Sequence, residues 1–154
     1  MTRPEPWEEL VIAEDAYLTK RMAMFEAGAE QQLRLALADA AGAPTALTVL
    51  RDAPVELVMD LVDLIFLRAT RTHGHVALAR QVIARLDPGW LFLALPPLVK
   101  ERLNAPEADW EDYRRIAEVL KELDQRVILE ELVALARTSA DPDILEVADD
   151  YRRW

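Results

Sequence analysis

Apolar residues recur along this chain at three- and four-residue intervals, the spacing that turns one face of an α-helix toward a core. Leu10, Val11, Tyr17, Leu18 and Phe25 predict a first helix, with Pro6 in its opening turn, where a missing N–H costs little. Gly28 is placed to kink it, and apolar positions resume at Leu33 and Leu37 until Ala-Gly-Ala-Pro at 41–44 stops the pattern. A short helix is expected over 45–51, and Pro54 opens a long one through Arg71, closed by His73, Gly74 and His75. Another covers 76–86. The apolar run 90–99 continues to Leu103 but contains Pro96 and Pro97, which should interrupt or restart the helix because neither can donate an intrahelical hydrogen bond. Asp109 is a good N-cap for a helix to Leu123, and 125–137 forms the next. Asp141 followed by Pro142 opens a last helix to Trp154. The β-branched residues fall inside these helix-period segments, so no strand is expected.

Three junctions punctuate the pattern, beginning at Leu50, Leu86 and Leu123, 36 and then 37 residues apart. Each follows one helical segment and precedes a strongly apolar one. A period near 37 with two helices per unit predicts an α-solenoid, in which neighbouring units bury each other's apolar faces and the three junctions line up along one edge.

The segments from Asp109 to Leu123 and from Asp141 to Ala148 resemble HEAT-type helical repeats. Asp141, Pro142, Ile144 and Ala148 match the Asp-Pro-x-[Val/Ile]-x-x-x-Ala pattern that often starts such a repeat. The resemblance spans 45–154 at most and is carried mainly by residues after 105. It implies an all-α fold, a short right-handed solenoid of helix pairs whose second helices line a concave face. Residues 1–44 would form an N-terminal helical cap, 45–140 the repeats and 141–154 a C-terminal capping helix.

Composition bounds the chemistry. The 154 residues are 52% apolar and 30% charged, enough for a substantial core and unlike a disordered chain. Cysteine is absent, which removes disulfides, thiolate metal sites and a cysteine nucleophile. Four glycines leave no glycine-rich phosphate loop, and no Ser-His-Asp arrangement is readable. The acidic, proline-bearing N-terminus is unlike a signal peptide, and the longest apolar run is far short of the ~20 residues that span a bilayer. A cytoplasmic protein is the expectation. The net charge of −10 is uneven: residues 1–50 hold 8 acids and 4 bases (−4), 51–100 hold 5 and 6 (+1), and 101–154 hold 15 and 8 (−7). Such a field disfavours nucleic acid and anionic membranes and favours a basic partner.

The second helices carry the candidate site. Glu56, Asp60 and Asp63 form a narrow polar stripe on the helix opened by Pro54, and Arg126, Glu130 and Arg137 form another near the C-terminus. Shifting Glu130 back by one period of 37 lands on Leu93, so the middle helix has no such stripe. Trp90, Leu93 and Pro97 would then project between acidic flanks, as an apolar anchor with a charged rim. The competing arrangement buries this helix on every side, under the N-terminal helix or in a homodimer.

Other constellations are weaker. His73 and His75 could share a metal only with further ligands from other elements. Gly74 reads better as a left-handed helix terminator, with histidine favoured at the C-terminal pole. Asp60 and Asp63 could hold Mg²⁺ only opposite a second acidic cluster, such as Glu8–Glu9, Glu14–Asp15 or Asp149–Asp150. Arg68, Arg71, Arg80 and Arg85 are expected to pair with acids on neighbouring helices. Trp110 and Tyr113 should pack between units.

These residues favour a non-enzymatic protein-interaction module with no cofactor. The expected partner is a protein, a basic one by charge, with neither nucleic acid nor membrane involved. An immunity protein neutralising a basic toxin is the sharper alternative, and a small Mg²⁺-dependent phosphate-processing enzyme is the competitor from another class.

Overall fold

A computed structural model describes residues 4–71 and 74–154, and it is all-α: ten helices and no strand among those residues. Helix α1 (Pro6–Glu26) begins on its proline, and the backbone N–H of Glu5 donates to the Glu8 carboxylate at 2.9 Å. Gly28, at φ +99°, breaks the chain between α1 and α2 (Ala29–Ala38), a conformation only glycine adopts without strain. Gly42 then allows close approach before α3 (Ala43–Leu50), since a Cβ there would lie 2.8 Å from the Ala36 carbonyl oxygen.

The long helix expected after Pro54 is two helices, α4 (Val55–Asp60) and α5 (Val62–Ala69), separated at Leu61 with φ −112° and ψ 10°. No proline or glycine marks the break. Its physical counterpart lies on α2, where Arg34 donates one guanidinium nitrogen to the Asp60 carbonyl (2.7 Å) and the other to the Asp63 carboxylate (3.0 Å). A side-chain donor thus satisfies a carbonyl within the break.

Helix α5 ends at Ala69, not at the histidines. Thr70 Oγ1 donates to the carbonyls of Phe66 and Leu67, and Arg80 Nε to that of Ala69, so the helix end is satisfied before Gly74 is reached. The left-handed turn expected at Gly74 is set through its peptide bond to residue 73, which lies outside the described residues. His75 sits at the N-cap of α6 (Val76–Ile83), the opposite pole from the one expected, and His73 lies outside the described residues.

Helix α7 (Pro88–Leu103) corrects a second expectation, because it runs unbroken through Pro96 and Pro97. Asp87 caps it by accepting from the Trp90 N–H at 2.9 Å. Leu91, Leu95, Val99 and Leu103 form its buried stripe, which holds the helix against the core despite the lost donors. The freed carbonyls belong to Phe92 and Leu93, four residues earlier and both on exposed residues, so water can replace the missing bonds. Helix α8 (Trp110–Glu122) starts as predicted, with the Asp109 carboxylate accepting from the N–H groups of Glu111 and Asp112. Helices α9 (Arg126–Ala136) and α10 (Pro142–Tyr151) complete the chain, the latter capped by Asp141.

A contiguous apolar cluster runs from Leu33 on α2 to Ala148 on α10 and includes Leu50, Leu86 and Leu123. The junctions after those leucines are joined by hydrogen bonds. Arg85 donates to the carbonyls of Leu50 and Ala53 (2.5 and 2.6 Å), and Gln125 Nε2 donates to that of Pro88 (3.1 Å). Each bond therefore links one junction to the next. Packing continues from α5 onto α6 and from α9 onto α10.

Candidate functional site

Helix α7 presents a ridge between two grooves. At four- and then three-residue spacing, Leu93, Pro97 and Lys100 lie along its outer face, all exposed. Leu93 is 73% exposed, the most accessible large apolar side chain among the described residues. On one flank, α7 and α9 enclose an apolar groove of about 450 Å³ between Pro96, Pro97 and Leu103 on one side and Ile128, Leu132 and Leu135 on the other. Glu131 and Lys100 stand at its margin. On the other flank, a groove of about 330 Å³ separates α7 from α5, lined by Asp63, Leu67, Leu98 and Glu101 among others.

The seven residues singled out from the sequence are distributed as follows. Leu93 and Pro97 occupy the ridge. Trp90 is only half-exposed and packs against the core, so it is a foundation of the ridge more than a free anchor. Glu56, Asp60 and Glu130 are exposed. Asp63 reaches the α5–α7 groove, where its carboxylate is engaged by Arg34. The acid at the α7–α9 groove is Glu131, one residue and about 100° around the helix from Glu130. Sequence reasoning missed Leu135, 40% exposed and lining this groove, and Phe92, 45% exposed one turn before Pro96 on α7. Their signal was the 91, 95, 99, 103 stripe: once that face is buried, Phe92 must lie on a flank.

The basic residues of the middle third are mostly spent on backbone. Arg68 donates to the Leu37 carbonyl through Nε and Nη2, and Arg85 to those of Leu50 and Ala53. This replaces the acid pairing expected of them, because a guanidinium fork beside a helix C-terminus satisfies carbonyls that lack intrahelical donors. Arg80 does meet acids, Glu118 at 3.0 Å and Glu122 at 2.6 Å. It borders a concavity of about 630 Å³ between α6 and α8, but its donors are already committed to Ala69, Glu118 and Glu122. Burial, reinforced by Glu118, raises the Tyr151 phenol above its ordinary value, partly opposed by Arg114. Tyr113 is raised by burial alone. Both phenols therefore stay protonated at neutral pH.

Among the described residues, no three His, Asp or Glu side chains converge as a metal site, and no helix is long and apolar enough to cross a membrane. Tyr113 is buried as expected, whereas Trp110 is 37% exposed beneath Arg114. Trp154 packs on the core, with Lys121 and Arg126 over its ring at 5.7 and 5.5 Å. Compared with known proteins, the chain matches no family model, and no curated protein or solved structure matches it significantly.

Proposed function

We propose that this chain is a non-enzymatic protein-interaction module built from stacked helix pairs, and that a basic partner segment docks on the α7 ridge and the α7–α9 groove. The observation that carries the reading is the exposure of Phe92 and Leu93 on α7, one turn before Pro96 and Pro97, which line a preformed apolar groove. Burying such side chains against a partner recovers roughly 1.5–3 kcal/mol each for the larger ones. The junction bonds from Arg85 and Gln125 support the stacking of successive helix pairs that sets α7 beside α9.

Charge supports the choice of partner. Glu131 stands at the groove on α9, and residues 101–154 carry a net −7 from 15 acids and 8 bases. A segment with an apolar anchor between lysines or arginines complements that field. The Phe92 and Leu93 carbonyls, left without helical donors by Pro96 and Pro97, add acceptors for a partner's N–H groups.

The test is selection from a displayed library of random helical peptides, followed by titration of the winners. Enriched peptides should carry apolar residues at four-residue spacing flanked by Lys or Arg, with affinity falling as salt rises. Leu93→Asp should weaken them by about tenfold or more, the equivalent of ~1.4 kcal/mol. Enrichment of acidic peptides, or binding indifferent to Leu93→Asp, overturns the assignment.

A further inference from the structure

Helix α1 contains no buried side chain along its 21 residues, although Trp7, Leu10, Ile12 and Met22 are each 64–69% exposed. Its final turns pack on the core through Met24 and Phe25, while residues 4–20 are almost entirely exposed. Helices draw most of their stability from packing an amphipathic face, so a projecting helix of this kind is incomplete by itself. At 100° per residue, Trp7, Leu10, Val11, Leu18 and Met22 fall within one arc, which the half-buried Phe25 continues, while Ile12 stands on the opposite side. Two charges interrupt that arc, Glu14 and Arg21, seven residues apart on the same face. Neither forms an ion pair among the described residues, and Arg21 rests over the Phe25 ring at 5.8 Å.

An acid and a base set symmetrically about the midpoint of an apolar stripe are self-complementary under a two-fold axis. We propose that α1 is a self-association helix, pairing antiparallel with α1 of a second copy about an axis between Tyr17 and Leu18. Glu14 of each copy then comes level with Arg21 of the other, and Leu10 with the part of Phe25 that its own core leaves open. The two Leu18 side chains meet near the axis. Trp7 of each copy reaches the other's corner at Gly28, where the space a Cβ would enter is open. A parallel pair would instead set Glu14 against Glu14 and Arg21 against Arg21. At ~1.5 Å per residue α1 is about 32 Å long, so one face offers contact on the order of the ~800 Å² per partner of a stable interface. This surface is separate from the α7 ridge, and its test does not depend on that assignment.

Sedimentation and light scattering at about 100 µM should give twice the 17.5-kDa monomer mass, with dissociation on dilution. Glu14→Arg or Arg21→Glu alone places like charges level and should weaken the dimer about tenfold or more, whereas the double exchange should restore it. Because the chain has no cysteine, Leu18→Cys should cross-link on oxidation and Leu10→Cys should not. Unchanged melting of each monomer would show that these substitutions leave the fold intact. A monomer at that concentration overturns the proposal, whatever else α1 then binds. A dimer indifferent to the single charge exchanges, or one cross-linked equally by Leu10→Cys, overturns the antiparallel arrangement.

Discussion

Asp124 stands at φ +53°, the one non-glycine residue with positive φ among those described. It closes α8 in a Schellman arrangement, with the Gln125 N–H donating to the Leu120 carbonyl at 2.8 Å and its own N–H to that of Lys121 at 3.1 Å. An L side chain there costs about 1–2 kcal/mol relative to glycine. Asp124→Gly should therefore raise unfolding free energy by about 1 kcal/mol in urea titrations, with the helix content unchanged. A loss of stability would show that the Asp124 side chain itself holds the turn. Arginines provide the other lesson at this scale. Arg68, Arg80 and Arg85 each donate to a carbonyl at the C-terminal end of a helix packed nearby. Residue type alone pointed these side chains at carboxylates, because the position of a helix end in space is not written in the sequence around its binder.

Elements were legible where their ends carry local chemistry. Asp109, Asp141 and Pro142, and Gly28 all act within a few residues of themselves, and the structure starts or breaks helices there. Elements were misread where distant packing outweighed a local rule. The four-residue stripe through Leu91, Leu95, Val99 and Leu103 keeps α7 helical across two prolines, while Arg34 sits at a break between α4 and α5 that no local residue announces. Pro97 is exposed and its backbone is already helical, so Pro97→Ala restores a donor to the Leu93 carbonyl without disturbing the core. The variant should gain about 1 kcal/mol, a rise of about 2–4 °C in Tm, measurable by calorimetry. A fall in Tm would mean that the proline ring contributes more through packing than it costs in hydrogen bonding.

Across the whole molecule, Arg85 and Gln125 reach back to the preceding junctions. Gln125 is 5% exposed, so Gln125→Ala leaves a gap and removes the bond to Pro88, and should cost about 1 kcal/mol. Because the apolar cluster is contiguous from Leu33 to Ala148, unfolding should stay a single transition, with circular dichroism and tryptophan fluorescence coincident. Two separated transitions would show instead that the helix pairs unfold independently, as weakly coupled repeats do. The candidate face belongs to this scale as well. Leu93 and Pro97 were identified by comparing helices one period apart, but the partial burial of Trp90 and the exposure of Phe92 depend on where α7 comes to rest.

By itself the sequence determined helical class, most helix starts, the acidic C-terminal third and the absence of cysteine chemistry. Each follows from spacing or residue type within a few turns of chain. Tertiary structure decided which flank of α7 faces water, which carbonyls the arginines satisfy and that α1 stands clear of the core. Those outcomes depend on contacts between separate helices, 11 to 35 positions apart for the arginines, or on their lack, and local periodicity carries no information about which face such contacts cover.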